Sequence, residues 1–356
     1  MDRKPVVALL CGGQSPEHEI SLLSAWSVYQ AIERDKYDVR VIGISKQGVW
    51  QHYGDHEDFL VERGDPRKIR LAEGGRVCFF CRNQVNVRLW ELGTGQEYPL
   101  DVAFPVLHGA NGEDGSIQGL FQLLGLPYVG CDQMSSANCM DKAVAKMLFA
   151  CNGLNTAKAV TVLKEHDPES LRQALDILGL PLFVKPARTG SSVGISKVKS
   201  AAQLAEAVEL AFQFDDKVLI EEAIPGREIE CAVLDDGEEL FCPLPGEVIP
   251  HDEFYSYNAK YLAKDGASLE VPAQLPPEQA ACVQELAKRA FKALDCRGMA
   301  RVDFFLKPDG NWVLNEINTI PGFTNISLYP QLMLKAGISY QELVSKLLMR
   351  ALDTRG

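Results

Sequence analysis

The chain has 356 residues, of which 46% are apolar and 24% charged, so a disordered or fibrous protein is excluded. Acidic residues outnumber basic ones by 48 to 36, and the net charge of −12 argues against nucleic acid as a partner. No apolar run approaches the roughly 18 residues of a membrane span, so we expect no membrane partner either.

The ten cysteines are scattered through apolar stretches, and Cys78 and Cys81 form one CxxC pair without a second one. Because a structural zinc site needs four such ligands, we expect reduced thiols in a cytoplasmic protein. The short apolar run after Pro5 leads into Gly12 without a small-residue cleavage site, which favours a first strand over a signal peptide.

The first third of the chain alternates between strand and helix patterns. Strands are predicted at 5–10, 39–44 and 102–107, and helices at 16–32 and 117–124. Ser15 is predicted to cap the first helix, with Pro16 as its first residue. Residues 45–98 are less regular and are predicted to form a decorated connection. This order indicates a small parallel sheet with helices on its faces, and His108 lies at a strand end where such sheets bind ligands.

The rest of the chain has a different rhythm and is richer in strands towards its end. Helices are predicted at 142–151, 201–212, 277–294 and 340–352. Strands are predicted at 159–162, 182–185, 217–222, 228–234, 299–306 and 311–318. The polar and aromatic segment 248–266 lacks periodicity, so we expect a lid or binding loop there.

An Asp-Gly pair at 309–310 separates two apolar-rich runs and predicts a hairpin. With this pair as the loop, Asp303 lies opposite Glu316, and Arg301 lies opposite Asn318, all on one face. Facing carboxylates destabilise a sheet and raise the pKa of one acid, and a bound Mg²⁺ removes that conflict. The open alternative is a solvated sheet face on which Arg301 neutralises one acid.

Several other features suit a nucleotide, each with an ordinary structural alternative. Lys185 ends a buried apolar strand and needs a partner, because an unpaired buried ammonium is costly. The loop from Gly190 to Gly194 offers N–H groups and hydroxyls to a triphosphate, although a plain turn has the same composition. Lys142 begins a helix and can equally face solvent. The end of the strand near Ile224 can pair with the edge of an adenine.

The ordered motifs resemble those of the D-alanine–D-alanine ligases, bacterial cell-wall enzymes with the ATP-grasp fold, and the likeness covers essentially the whole chain. They are GGQSPEHEIS at 12–21, HGANGEDGS at 108–116, MDK at 140–142, VKP through GSSVG at 184–194, FYSYNAKY at 254–261, ARVD at 300–303 and NEINTIPG at 315–322.

The resemblance implies an α/β fold that is α+β in its C-terminal part, an ATP-grasp fold preceded by a Rossmann-like N-terminal domain. The implied domains are 1–139, a central subdomain at 140–215 and a C-terminal domain at 216–356 with the lid at 248–266. It also implies an ADP-forming ligase that joins two D-alanine molecules for peptidoglycan precursors, acting as a cytoplasmic homodimer with ATP bound between the last two domains.

The resemblance further implies roles by position. ATP contacts fall on Lys142, Lys185, Glu221, Glu222, Ile224, Glu228 and Lys260. Ligands of two Mg²⁺ ions, with Mn²⁺ as a substitute, are Asp303, Glu316 and Asn318. Catalytic roles fall on Glu17, Ser191, Tyr261, Arg301 and Gly322, and other substrate contacts on His108, Ser327 and Leu328. Glu17 suits the ammonium of the first D-alanine, while Arg301 and the Gly322 N–H suit the reacting carboxylate and the oxyanion.

Other functions stay open but are disfavoured. D-alanine–D-lactate and D-alanine–D-serine ligases are close alternatives, and the tyrosine at Tyr261 favours D-alanine over D-lactate as the second substrate. Another ATP-grasp carboxylate–amine ligase is disfavoured by the motifs around Glu17 and His108. A non-enzymatic nucleotide-binding module would be expected to lose some of the metal and lysine positions. Glu17 occupies the third glycine position of a dinucleotide fingerprint, which argues against a dehydrogenase.

Overall fold

A computed structural model describes residues 3–165, 167–251 and 266–353. The strands are β1 Val6–Gly12, β2 Asp38–Ile44, β3 Trp50–Gly54, β4 Leu60–Val61, β5 Arg70–Leu71, β6 Arg76–Arg82, β7 Val87–Glu91, β8 Glu97–Leu100, β9 Val102–Val106, β10 Ala159–Leu163, β11 Leu182–Pro186, β12 Ser196–Val198, β13 Lys217–Glu222, β14 Arg227–Leu234, β15 Gly246–Pro250, β16 Ala267–Glu270, β17 Met299–Leu306 and β18 Trp312–Asn318. The α-helices are α1 His18–Ala31, α2 Ser116–Leu124, α3 Gln133–Met140, α4 Lys142–Cys151, α5 Pro168–Leu178, α6 Leu204–Ala211, α7 Pro277–Ala293, α8 Leu328–Lys335 and α9 Tyr340–Asp353.

The N-terminal sheet has seven strands in the order β8-β7-β6-β3-β2-β1-β9. Only β2, β1 and β9 are parallel, and the antiparallel strands come from the segment 45–98. The decorated connection predicted there is thus a set of antiparallel strands that widens the sheet. The strands of this segment lack a clear alternation of apolar and polar residues because their outer face also carries apolar side chains. An example is Phe79, which stacks on Trp90 with 6.2 Å between ring centroids.

Helix α1 packs on this sheet, but it begins at His18 rather than at Pro16 as predicted. The Ser15 hydroxyl accepts a hydrogen bond from the Glu17 N–H (3.1 Å) and donates one to the carbonyl oxygen of His108 (2.6 Å). Ser15 therefore closes a turn before the helix and ties it to the end of β9, and the helix starts only after that turn.

Two antiparallel sheets follow along the chain, in the orders β10-β13-β11-β12 and β16-β15-β14-β17-β18. Helix α7 packs on β14 and β17, and its Phe291 and Val283 lie in the core beneath them. Part of the predicted lid is a strand, since residues 248–250 belong to β15. Residues 252–265 of that segment lie outside the described residues.

The hairpin of β17 and β18 has the predicted pairing at its functional end and a different one near its turn. Arg301 lies opposite Asn318 and Asp303 opposite Glu316, but Phe304 pairs with Leu314 rather than with Asn315. The register shift between 303 and 304 marks a β-bulge in β18. A longer turn closed by the Lys307 N–H and the Asn311 carbonyl (3.0 Å) offsets it.

The bulge changes which face of β18 each residue occupies. Trp312, Leu314 and Ile317 all lie in the core under α7, although strict alternation would place Ile317 on the opposite face from the other two. The extra residue reverses the alternation, so Glu316 and Asn318 leave the core side and share a face with Arg301 and Asp303.

The C-terminal helices join the N-terminal sheet in one core. Tyr329 of α8 and Leu343, Leu347 and Leu348 of α9 cluster with Val28 of α1 and with the face of β1 that α1 covers. Within the described ranges, no helix combines the length and apolar character that a membrane crossing requires.

Phe149→Ala tests the packing of α4, because Phe149 is 0% exposed in the core shared with α7, whereas Met147 on the same helix is 60% exposed. Removing the ring leaves a cavity, and we expect the free energy of unfolding to fall by about 3–5 kcal/mol. Met147→Ala is the matched control, with an expected change below about 0.5 kcal/mol. Urea unfolding followed by circular dichroism gives both values, and equal losses would contradict this packing.

Candidate active site

A cleft of about 770 Å³ lies between the two antiparallel sheets and reaches Glu17 before α1 and His108 after β9. Most of the residues predicted from sequence meet there. They are Glu17, His108, Lys142, Lys185, Ser191, Glu221, Glu222, Ile224, Glu228, Arg301, Glu316, Asn318 and Gly322.

The remaining predicted residues are placed differently. Asp303 is buried behind Arg301 rather than at the cleft wall. Ser327 lies next to Gly322, since a Cβ on that glycine would stand 3.0 Å from the Ser327 hydroxyl. The Leu328 side chain is buried in the core that joins α8 to the N-terminal sheet, so a substrate contact there would have to involve its backbone. Lys260 and Tyr261 lie outside the described residues.

The facing carboxylates of the β17–β18 hairpin are compensated by neighbouring cations. Arg301 donates to both oxygens of Asp303 (2.8 and 2.7 Å) and its Nε lies 3.0 Å from Glu230 Oε2. Burial disfavours the charge on Arg301, but these acids outweigh it and raise the pKa of the guanidinium. Glu316 has Lys142 Nζ at 3.7 Å. The arginine neutralisation considered above is therefore present.

The same face is compatible with a divalent cation bound together with a ligand. The candidate metal ligands on this face are the carboxylates of Asp303 and Glu316 and the amide oxygen of Asn318. In this structure the Asn318 Nδ2 donates a hydrogen bond to Asp303 (3.0 Å). In the described part of the chain, no three His, Cys, Asp or Glu side chains cluster as a metal site. Glu316 is the more open donor, with 27% of its side chain exposed. Mg²⁺ usually takes one or two carboxylates plus substrate phosphates, and this donor set fits that pattern.

Lys142 connects three parts of the cleft. It is the first residue of α4, and the Asp141 side chain caps that helix by accepting from the N–H groups of Ala143 and Val144. Lys142 Nζ donates to the carbonyl of Thr189 (2.7 Å) in the Gly/Ser loop, residues 189–194, and also approaches Glu316. Lys142 therefore links the helix, the loop and the carboxylate hairpin at one point of the cleft.

Lys185 has the partner that its buried position requires. Its Nζ lies 2.6 Å from Glu221 Oε2, and Glu221 faces it from the neighbouring strand β13. The other carboxylate oxygen is bound by Lys146 at 2.6 Å, a residue that the sequence analysis did not single out. The signal was available, since Lys146 follows Lys142 by four residues and shares its face of α4. The Glu221 side chain is thus engaged, which leaves its backbone to meet a ligand.

The Gly/Ser loop bends towards the N-terminal helix. The Ser191 hydroxyl donates to Glu17 Oε1, which joins the loop to the residue that precedes α1. Ser191 and Ser192 have φ angles of 50° and 59°, a left-handed conformation. It costs of order 1 kcal/mol for a residue with a side chain and is concentrated at functional sites.

His108 positions the segment that carries Gly322. Its Nδ1–H donates to the Ile320 carbonyl (3.0 Å), and its Nε2 lies 3.1 Å from the Ser24 hydroxyl on α1. Burial lowers the pKa of His108, although Glu17 opposes the effect, so the ring is neutral. Ser24 Oγ also accepts from the Phe323 N–H (3.3 Å). Both ring nitrogens are therefore used to hold the segment 320–323 against α1.

Glu113 is a cleft residue that the sequence analysis missed, although it lies in the HGANGEDGS motif. Its carboxyl accepts from the N–H groups of Gly109 (2.6 Å) and Ile320 (3.4 Å). Withdrawal from water, and secondly the charge of Glu17, raise the pKa of Glu113 to about 8. The cleft thus holds a carboxyl group that is protonated at neutral pH.

Comparison with known proteins agrees with this geometry. The family models described as "D-ala D-ala ligase N-terminus" and "D-ala D-ala ligase C-terminus" match residues 6–131 and 148–349. D-alanine–D-alanine ligase A of Chromobacterium violaceum is 47% identical over 349 residues, which cover 98% of this chain and 95% of that protein.

Two solved structures are also similar over almost the whole chain. The D-alanine–D-alanine ligase of Coxiella burnetii has a TM-score of 0.86 and 36% identity, covering 99% of this chain and 95% of that one. The VanG D-Ala:D-Ser ligase of Enterococcus faecalis has a TM-score of 0.85 and 37% identity, covering 98% and 100%.

Glu113→Gln tests the protonated carboxyl. Between pH 4.5, its ordinary pKa, and about 8, the native state keeps a proton that the unfolded chain loses, so Glu113 makes stability fall as pH rises through this window. We expect the melting temperature of Glu113→Gln to fall less than that of the unsubstituted protein between these pH values. Glu209→Gln, at an exposed position of α6, is the control and should behave like the unsubstituted protein. The same dependence of melting temperature on pH in all three proteins would contradict the raised pKa of Glu113.

Proposed function

The chain belongs to the D-alanine–D-alanine ligase family and makes D-alanyl-D-alanine for peptidoglycan precursors, and we propose that the cleft between its two antiparallel sheets is the active site. The predicted ATP-grasp fold is confirmed by the similarity to solved ligases. The observation that carries the proposal is that one cleft joins a half with Lys142, Lys185 and the Gly/Ser loop to the half that contains Glu17 and Arg301.

In the proposed complex, the half of the cleft that contains Lys142 and Lys185 binds the nucleotide. Lys142 and Lys185 contact its phosphates, and the backbone from Glu221 to Ile224 borders the adenine, with Glu222 and Glu228 near the ribose. The engagement of the Glu221 side chain with two lysines supports a backbone contact there. Lys260 would complete the set.

The other half orients the first D-alanine. Glu17 is suited to its ammonium group, and Ser191 holds Glu17 in place from the Gly/Ser loop. Arg301, kept charged by Asp303 and Glu230, is suited to the reacting carboxylate. That carboxylate attacks the γ-phosphorus of ATP, the bond to ADP breaks, and an acylphosphate forms.

The amine of the second D-alanine then attacks the acyl carbon, loses a proton, and displaces phosphate. The developing oxyanion needs a fixed donor, and the Gly322 N–H donates to no acceptor among the described residues. His108 and Glu113 both bind Ile320, two residues before this donor, and so orient it. Ser327, next to Gly322, and the backbone of Leu328 are the proposed contacts of the second substrate.

We further propose that Asp303, Glu316 and Asn318 hold two Mg²⁺ ions, or Mn²⁺ in their place, when ATP is present. When bound, such ions would neutralise charge on the γ-phosphate. Arg301 would then share Asp303 with the metal, so the same acid would link the nucleotide to the carboxylate of D-alanine.

Two more proposals rest on the family resemblance, namely that the chain is a homodimer and that it acts in the cytoplasm. The dimer is tested by sedimentation velocity at micromolar concentration, where a monomer as the single species would contradict it.

The choice of second substrate is tested by an assay with ATP, Mg²⁺ and D-alanine, alone and with equimolar D-lactate or D-serine. We expect D-alanyl-D-alanine as the main product in every mixture at neutral pH. A direct assay is informative because structural similarity by itself does not separate the two ligase types: the D-Ala:D-Ser ligase matches about as well as the D-alanine–D-alanine ligase of Coxiella. A depsipeptide or a D-alanyl-D-serine product in excess would contradict the expectation.

Glu316→Gln tests the carboxylate hairpin. The substitution keeps the shape but weakens a divalent-cation ligand, so we expect activity to fall by about 10²-fold or more while circular dichroism is unchanged. Asp309→Asn, in the exposed turn of the same hairpin, is the control and should keep near-normal activity. An unfolded Glu316→Gln protein would favour a purely structural role for the acid.

A further inference from the structure

Lys146, Glu221 and Lys185 form an ionic triad at the wall of the cleft, in which each lysine binds one carboxylate oxygen of Glu221. Each carboxylate oxygen of Glu221 lies 2.6 Å from one ammonium, Oε1 from Lys146 and Oε2 from Lys185. The three side chains are only 10%, 4% and 13% exposed. Lys146 also donates to the Ala157 carbonyl (3.1 Å), so its position is fixed from two sides.

The members of the triad differ in their access to a ligand. Lys185 and Glu221 are among the lining residues of the cleft, whereas Lys146 lies behind them. Burial acts against every charge in the group, yet the lysines lower the pKa of Glu221 and Glu221 raises that of Lys185. For Lys146 burial prevails and lowers the pKa. Glu221 therefore stays ionised and forms ion pairs with Lys146, which does not line the cleft, and with Lys185, which does.

The charge count of this group matters because its surroundings are acidic. Lys185 and Glu221 alone would sum to zero, and a neutral pair offers little attraction to a polyphosphate. Lys146 brings the sum to +1, in a chain of net charge −12 whose cleft is lined by Glu222, Glu228 and Glu316 as well as by Lys142, Lys197 and Arg227. In a partly buried site the effective dielectric constant is low, so one additional positive charge attracts a phosphate several ångströms away more strongly than it would in water.

We propose that Lys146 is a positioning residue for nucleotide binding, which fixes the Glu221 carboxylate and supplies the charge that leaves Lys185 free to attract phosphate. This inference rests on the proposed function, which places the nucleotide phosphates near Lys185. Without Lys146, Glu221 Oε1 loses its cation, and Lys185 alone must neutralise the carboxylate.

The test is isothermal titration of the full-length protein with ATP, ADP, AMP and adenosine. For Lys146→Met we expect the Kd of ATP to rise about tenfold or more and the Kd of adenosine less than about threefold, with the loss growing with the number of phosphates. Lys146→Arg, which keeps the charge, should bind ATP nearly as the unsubstituted protein does. In kinetics, KM for ATP should rise far more than kcat falls.

The double variant Lys146→Met/Glu221→Gln separates charge from packing, because it returns the sum at Lys185 to +1. We expect it to recover most of the ATP-to-adenosine preference that Lys146→Met loses. Lys146→Gln keeps a hydrogen-bond donor without the charge, and it replaces Lys146→Met if that variant fails to fold. Lys346→Met, which breaks a distant ion pair with Asp236, is the control for general destabilisation.

Unchanged ATP binding by Lys146→Met would overturn the inference while leaving the proposed function intact. Equal losses for ATP and adenosine would also overturn it, since they would indicate packing alone. If the unsubstituted protein bound no ATP, the proposed function would fail and the inference with it.

Discussion

Two carboxylates held opposite each other on the β17–β18 hairpin are the constraint around which the cleft is built. Such a pair destabilises a sheet unless positive charge lies beside it. Arg301 meets Asp303 from the same strand, and Lys142 approaches Glu316 from the start of α4. Lys142 also binds the Gly/Ser loop, so balancing the hairpin draws a helix and a loop of the neighbouring sheet towards it.

The N-terminal part of the chain is tied to the same place by neutral hydrogen bonds. His108 joins the end of β9 to Ile320 and to Ser24 of α1, and Glu113 binds the Ile320 N–H as well. The C-terminal helices pack into the core of the N-terminal sheet. The amino-acid half of the cleft therefore depends on contacts between the first and last parts of the chain, which no local pattern reveals.

The difference between contacts within one hairpin and contacts between distant segments explains which features could be predicted from the sequence. The pairing of Asp303 with Glu316 was predicted, although the assumed two-residue turn was wrong and the bulge compensated for it. The need of Lys185 for a partner followed from its apolar strand. The partner itself, and the second lysine on it, depend on how β11, β13 and α4 meet in space. The start of α1 was misplaced for a similar reason, since Ser15 binds the distant His108 carbonyl instead of capping the helix.

The bulge in β18 has a wider meaning for how such a strand can change. Trp312 and Leu314 before it serve the core, and Glu316 and Asn318 after it serve the cleft, although all four stand at even-numbered positions. One extra residue thus resets the phase of the strand. Losing that residue would send the acids inward without altering either half-pattern. A single-residue deletion within the bulge is therefore expected to displace both acids from the cleft even if every other residue of the hairpin is kept.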